Sequence, residues 1–174
     1  QPRLIEQEYL LYTGKRYAYK NFKRFAESLI PIMQANPDLY LVCAGGKEIF
    51  ILDAGDLAKG IARKIWSWSA SPETGVPENR TKWFANLDDA KAVNDGKQVL
   101  ISASNSGVAI VDVATRKVTW MATVRNAHTA EMLPGGMIAV ASSIGGDELL
   151  VFDPKSPTPE SAICRTALPS APHS

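Results

Sequence analysis

The stretch from Val99 to Asp112, VLISASNSGVAIVD, consists of two short apolar runs separated by a turn of small residues, and an aspartate closes the second run. The pattern occurs twice more in the chain. LVCAGGKEIFILD ends at Asp53, and MIAVASSIGGDELLVFD ends at Asp153. Each copy predicts a strand, a tight turn and a second strand, with a further turn beginning at the aspartate. Because a repeat reflects the architecture of the whole chain, it is the starting point for predicting the fold.

Each copy continues into a predicted third strand, at 63–70, 117–124 and 161–168. A further short strand is predicted before the second and third copies, at 89–93 and 129–133, and each is followed by a hairpin-turn sequence, NDG or PGG. Four short strands in roughly 40 residues are typical of a propeller blade. The sequence therefore predicts a mainly β fold in which residues 47–174 form an incomplete β-propeller of about three blades. A β-sandwich built of meanders is the alternative.

The first 46 residues follow a different pattern. YLLYT at 9–13 predicts a strand, and the apolar residues from Phe22 to Met33 recur at the three- and four-residue spacing of a helix that Pro31 should kink or shorten. A second strand follows at 39–43. We therefore predict a Rossmann-like βαβ unit over residues 1–46, which shares a strand with the first blade from about residue 41. The first blade has no inner strand of its own, because the predicted helix occupies that place in the chain.

The N-terminal segment resembles the start of the donor-binding domain of retaining GT-B (group 1) glycosyltransferases. The resemblance is carried by YLLYTGKRYAYKNF, which ends at Phe22, and by NPDLYLVCAGG, which ends at Gly46. It implies that Gly14, Arg16 and Lys20 bind a diphosphate and that a nucleoside-diphosphate sugar is the donor ligand. Nothing after Gly46 resembles the family's carboxylate-rich stretch, so no catalytic residue is assigned.

Residues 41–171 resemble a family of secreted bacterial β-propeller proteins of unassigned function. The resemblance is carried by CAGGKEIFILD at 43–53, WFANLDDA at 83–90 and NAHTAEMLPGG at 126–136. The two resemblances meet near Gly45–Gly46, and we interpret the chain as a chimera of two fragments joined there. The propeller part resembles exported proteins and the glycosyltransferase part resembles cytoplasmic ones, so the localisation stays open.

Polar residues in and before the predicted inner strands are the candidate binding residues, since inner strands line one face around the channel of a propeller. They are Asn86, Asp88, Asp89, Asn126, His128 and Glu131. His128 is the candidate general base or ligand contact. Alternatively, the Asp and Asn residues stabilise turns and His128 bonds a neighbouring blade. The tryptophans at positions 66, 68, 83 and 120 also have two possible roles. They stack on a sugar, or they pack between blades.

The composition excludes several classes of function. A formal net charge of +1 does not indicate a basic surface for binding nucleic acid, and no apolar run approaches the length of a membrane span. The two cysteines and two histidines are too far apart in sequence to form a metal-ligand motif, so we predict neither a metal site nor a bound cofactor. Cys43 and Cys164 lie in apolar contexts that predict buried thiols.

We therefore expect a partial propeller that binds a small molecule or a carbohydrate, fused to a nucleotide-sugar-binding fragment and without catalytic activity. Two alternatives are a truncated glycosyltransferase and an artificial or misassembled chimera with no selected function. Three blades cannot close a ring, and unpaired edges recruit other chains. The sequence therefore also predicts self-association through open blade edges.

Overall fold

The computed structural model describes residues 9–13, 22–36, 39–57, 59, 61, 63–105, 107–143 and 148–167. Helix α1 spans Phe22–Ala35, and the single-turn helix α2 spans Ala54–Leu57. The strands of these segments are β1 (Tyr9–Thr13), β2 (Tyr40–Gly45), β3 (Glu48–Leu52), β4 (Lys64–Ser69), β5 (Leu87–Val93), β6 (Gln98–Ala103), β7 (Gly107–Asp112), β8 (Val118–Thr123), β9 (Ala127–Met132), β10 (Ile138–Ser142), β11 (Glu148–Phe152) and β12 (Ala162–Ala167). None of the helices in these segments has the length and apolar character needed to cross a membrane.

The strands form three four-stranded sheets, each made of four consecutive strands: β1–β4, β5–β8 and β9–β12. We call them blade 1, blade 2 and blade 3. All neighbouring strands in blades 2 and 3 are antiparallel. Successive meanders stacked on one another are the arrangement of a propeller, whereas a sandwich has two sheets face to face. The mainly β, propeller-like prediction is confirmed, and the sandwich alternative is wrong.

Blade 2 lies between the other two blades and is apolar on both faces. The β6 and β7 residues that face blade 1 include Val99, Ile101 and Ala109, which pack with Val42, Ile49, Trp66 and Trp68 of blade 1. The residues that alternate with these along β6 and β7 lie on the opposite face of the sheet. Leu100, Val108 and Ile110 pack there with Ile138, Val140, Leu150 and Phe152 of blade 3. This explains why β6 and β7 read as nearly continuous apolar runs in the sequence.

Two tryptophans at equivalent places in blades 1 and 2 pack against the next blade. Trp66 pairs with Ile51 and Trp120 with Ile110 across the last two strands of their blades. The indole Nε1 of Trp66 donates to the carbonyl oxygen of Val113 at 2.9 Å, and that of Trp120 donates to the carbonyl oxygen of Pro159 at 2.8 Å. Packing between blades, rather than a sugar-stacking platform, is therefore their role.

The aspartate that closes each repeat accepts a hydrogen bond from a backbone N–H of the following turn. Asp53 accepts from Asp56 N at 2.8 Å, Asp112 from Thr115 N at 2.8 Å and Asp153 from Lys155 N at 2.9 Å. The Thr115 hydroxyl also donates to Asp112, and together these bonds lower the pKa of Asp112. The predicted turn role of the three aspartates is confirmed.

The first blade differs from the prediction, because β1 occupies its inner-strand position. β1 runs parallel to β2, with Tyr9 opposite Tyr40 and Thr13 opposite Ala44. The prediction that this blade has no inner strand is wrong, and the division of the chain into a βαβ unit and a propeller part that share a strand stays a prediction. β2 is antiparallel to β3, so the sheet is mixed, unlike the parallel sheet of a Rossmann-like unit.

Helix α1 covers the face of blade 1 that points away from blade 2. Leu29 and Met33 are buried there with Leu41, Phe50 and Leu52 of the sheet. The helix continues past its internal Pro31 to Ala35, so the expected shortening does not occur. Packing of an apolar helix face supplies most helical stability in proteins, and here it outweighs the cost of the proline.

The two cysteines differ in exposure: Cys43 is buried in blade 1, and Cys164 is exposed on β12. The prediction of a buried thiol is correct for Cys43 and wrong for Cys164. The apolar context of Cys164 belongs to an edge strand whose residues are mostly exposed.

Replacing Gly107 with alanine should destabilise the protein by about 1–3 kcal/mol, the usual cost of overpacking. A Cβ at this position would lie 2.7 Å from the ring of Phe84, which is itself 1% exposed. The ring also packs edge-on against Trp68, with centroids 5.7 Å apart, so it has little room to move. Urea unfolding followed by circular dichroism measures the effect. Gly46→Ala is the control, because an added Cβ in this turn meets nothing within 4 Å and the variant therefore shows the effect of backbone strain without crowding. Equal losses of unfolding free energy in the two variants would contradict the prediction.

Candidate functional site

The inner strands of blades 2 and 3 carry the same irregularity. In blade 2 the register of β5 against β6 shifts between Leu87 and Asp89, and in blade 3 that of β9 against β10 shifts between Thr129 and Ala127. Asp88 and His128 are therefore the extra residues of two equivalent bulges. Bulges re-aim side chains and are common beside functional sites. The sequence predicts both residues as candidates, and the bulges give them a shared structural setting.

Four polar residues of β5 and β9 form what we call the inter-blade cluster: Asp89, Lys91, Thr129 and Glu131. The Lys91 ammonium donates to Thr129 Oγ1 at 2.9 Å, to the carbonyl oxygen of Ala130 at 3.1 Å and to the Glu131 carboxylate. It also lies 3.0 Å from Asp89 Oδ2, which accepts a 2.7 Å bond from the Thr129 hydroxyl. The structure thus brings together the candidates Asp89 and Glu131, which lie on different blades.

Lys91 is the central residue of this cluster, and the sequence reasoning missed it. Partial burial lowers the pKa of Lys91, but the hydrogen bonds and negative charges of Glu131 and Asp89 outweigh this effect, so its pKa is raised. The side chain is therefore a charged donor at neutral pH and not a base. The sequence contains a signal for Lys91 as a partner of Asp89. Lys91 follows Asp89 by two residues on a predicted strand, and residues i and i+2 of a strand share a face.

A second group of polar residues lies at the start of β9, and we call it the rim group: Asn126, His128 and Ser143. His128 Nε2 lies 3.2 Å from Asn126 Nδ2 and 2.8 Å from Ser143 Oγ, and the Asn126 amide also donates to the Ser143 hydroxyl. The backbone of Asn126 has a φ of 49°, in the left-handed region. His128 is exposed, and these two partners belong to its own blade and not to a neighbouring one. Sequence reasoning did not select Ser143, which follows the end of β10.

The remaining candidates have separate environments. Asn86 donates from Nδ2 to Asn105 Oδ1 at 3.2 Å, which links the start of β5 to the turn between β6 and β7. Among the described residues, Asp88 has neither a hydrogen-bond partner nor an ion-pair partner for its carboxylate. Gly14, Arg16 and Lys20, predicted to bind a diphosphate, lie outside the described residues. Within the described part of the chain, no group of three or more acidic, histidine or cysteine side chains could hold a metal ion.

The solved structures that resemble this chain include propellers. The WD40 β-propeller domain of Doa1 is similar with a TM-score of 0.50 and 15% identity, over 72% of this chain and 36% of that one. The hydrazine synthase of Kuenenia stuttgartiensis is similar with a TM-score of 0.51 and 11% identity, over 70% of this chain and 31% of that one. This chain thus spans about a third of the length of each. At these identities the likeness shows the fold alone.

No curated protein matches the sequence at a significant level. The comparisons show no glycosyltransferase segment, so the sugar-nucleotide interpretation of residues 1–46 stays a prediction. One family model matches residues 24–154, a range that begins within α1 and includes the predicted junction at Gly45–Gly46. The chimera therefore also stays a prediction. Since the match covers most of the 174 residues, the chain belongs to DUF6528, a family of unknown function.

Proposed function

We propose that this chain is a propeller-type binding module for a neutral, hydroxyl-rich ligand such as a carbohydrate, and that it binds this ligand without catalysis. The observation that carries the proposal is the repeated bulge in two neighbouring inner strands. It takes Asp88 and His128 out of the regular strand pairing at equivalent positions of blades 2 and 3. Register shifts also occur in the last strand pair of each blade, but in the inner strands both extra residues are ionisable or polar side chains, which is why these two bulges favour a binding role.

The chemistry of the groups favours hydroxyls over charged ligands. Asn126, His128 and Ser143 offer an amide, an imidazole and a hydroxyl, and Asp88 adds a carboxylate without a partner among the described residues. Together these groups can both donate and accept hydrogen bonds, as a sugar hydroxyl requires. The nearby ammonium of Lys91 is already neutralised by two carboxylates, so it does not create an anion site.

The inter-blade cluster would support this site by holding the inner strands of blades 2 and 3 in place relative to each other. Lys91 of β5 bonds three groups of β9, which ties the inner strands of blades 2 and 3 together next to the bulges. A binding site gains affinity when supporting hydrogen bonds hold its residues in place before the ligand arrives. Asp89, Lys91, Thr129 and Glu131 are accordingly positioning residues in this proposal.

A titration of the ¹⁵N-labelled chain with glucose, galactose, mannose, maltose and cellobiose tests the proposal. We expect at least one of these sugars to shift the amide resonances of Asp88, Asn126, His128 and Ser143. His128→Ala should weaken that sugar's affinity about tenfold, the effect of losing one or two hydrogen bonds. Lys97→Ala, in the turn at the opposite end of β5, is the control and should leave the affinity unchanged. Binding by none of the five sugars, or equal losses in both variants, would refute the assignment.

A further inference from the structure

The longest connection between blades borders a cavity that no sequence motif indicates. The loop from β4 of blade 1 to β5 of blade 2 spans residues 70–86, whereas the equivalent loop from β8 to β9 spans only 124–126. The longer loop contains two 3-10 segments, Pro72–Thr74 and Glu78–Phe84. Loops of this length between short strands are often functional. Beside the second segment lies a cavity of about 400 Å³.

The residues that line this cavity combine positive charge, hydroxyl groups and an apolar surface. They are Lys47, Ser69, Ala70, Thr81, Lys82, Phe84 and Ala85. No aspartate or glutamate is among these lining residues. In the described part of the chain, neither lysine ammonium has an ion pair or a hydrogen bond, unlike those of Lys64 and Lys91. Two unneutralised cations at one cavity favour an anionic ligand.

The walls of the cavity are held from three sides. Phe84 is buried between Trp68 and the backbone at Gly107. The turn that carries Lys47 is tied to β5, because Leu87 N donates to the carbonyl oxygen of Gly46 at 2.9 Å. Arg80 of the loop forms a 2.9 Å ion pair with Glu160 of blade 3. The cavity is therefore preformed, which is typical of small-molecule sites of this volume.

Trp68 lies behind the part of the cavity wall that Phe84 forms. Its indole Nε1–H is buried and has no hydrogen-bond partner in the described structure, although its ring contacts Phe84 of the cavity wall. Buried donors without partners are rare in native proteins and call for an explanation. Because this nitrogen is closed to solvent and Trp68 does not line the cavity, the case for a ligand rests on the two lysines and not on this donor.

We propose that this cavity binds a small organic anion, in which a phosphate or carboxylate group contacts Lys47 and Lys82 and an apolar body packs against Phe84. The hydroxyl of Ser69 completes the site as a hydrogen-bond donor to the anion, whereas the Thr81 hydroxyl donates to the carbonyl oxygen of Glu78 at 2.9 Å and only lines the cavity. None of these residues belongs to the rim group or to the inter-blade cluster. The inference therefore stands independently of the proposed carbohydrate site, and either can fail without the other.

Three probes of similar size test the proposal: phenyl phosphate, benzoate and the neutral benzyl alcohol. Each is titrated into the ¹⁵N-labelled chain. We expect phenyl phosphate, benzoate or both to shift the amide resonances of Ser69, Thr81 and Ala85 and the indole resonance of Trp68. The comparison of the two anions distinguishes a phosphate site from a carboxylate site. Benzyl alcohol should bind about tenfold more weakly or not at all, since it lacks the charge. Salt should weaken binding of the anions, because the lysines are exposed to solvent.

Variants connect the binding to the two lysines. Lys47→Gln and Lys82→Gln should each weaken binding of the preferred anion about tenfold. Lys97→Gln removes the same charge at the far end of β5 and should leave the affinity unchanged. All three positions are exposed, so the variants should fold, which their amide spectra verify. The proposal fails if neither anion shifts the cavity resonances, if benzyl alcohol binds as tightly as the anions, or if Lys97→Gln has the same effect as Lys82→Gln.

Discussion

Replacing Trp120 with alanine is expected to lower the free energy of unfolding by about 3–5 kcal/mol, the usual cost of truncating a large core side chain. Trp120 is 7% exposed and lies between blades 2 and 3, with its ring edge-on to Phe152 at a centroid distance of 5.7 Å. The variant also loses the hydrogen bond from the indole to the carbonyl oxygen of Pro159. Urea unfolding followed by far-ultraviolet circular dichroism measures the change.

Two further variants define what the loss at Trp120 means. Trp120→Phe keeps most of the apolar contact but not the indole N–H, so it should cost less than the alanine variant. His128→Ala changes an exposed residue and should stay within about 1 kcal/mol of the unsubstituted protein. If His128→Ala is as destabilising as Trp120→Ala, the histidine has a structural role and the proposed rim group is not a binding site.

The second large effect concerns a sheet face that no other blade of the described residues covers. In the register of blade 3, Ala139 aligns with Val151 and Cys164, and Ala141 aligns with Leu149 and Thr166. These six residues form the face that points away from blade 2, and we call it the open face. All six are half-buried or exposed, whereas the corresponding face of blade 2 is buried against blade 3.

We propose that a second copy of the chain covers the open face. Head-to-tail stacking would require blade 1 of the second copy to offer a bare sheet face, but α1 covers that face. A twofold dimer, in which one open face packs on another, does not meet this obstacle and is the arrangement that we propose. The chain should therefore be a dimer by size-exclusion chromatography with light scattering, and its melting temperature should rise with protein concentration.

A charged substitution tests where the dimer forms. Val151→Glu places a carboxylate in the middle of the open face and should produce a monomer whose melting temperature no longer depends on concentration. Thr123→Glu, on an exposed position of blade 2, adds the same charge elsewhere and should leave the dimer intact. A monomer of 18.9 kDa for the unsubstituted chain, at every concentration, would contradict the proposal.

The sequence by itself determined the repeating part of the fold. The third strands predicted at 63–70, 117–124 and 161–168 are observed as Lys64–Ser69, Val118–Thr123 and Ala162–Ala167. These predictions succeeded because a strand between two tight turns is specified locally, by alternating apolar residues and by turn residues such as Asp112. The burial of Trp66, Trp68 and Trp120 follows from the same alternation, since they lie on the apolar face of their strands.

Only the tertiary structure decided how distant segments meet. The pattern of residues 9–46 predicted a βαβ unit, in which β1 and β2 are parallel, but not that β1 becomes the inner strand of blade 1 or that α1 covers the face of this blade that points away from blade 2. The cluster around Lys91 and the cavity between Lys47 and Lys82 likewise join residues far apart in sequence. Local periodicity specifies which face of a strand is apolar, but the partner of that face, and the polar groups brought together at its edge, depend on packing between elements.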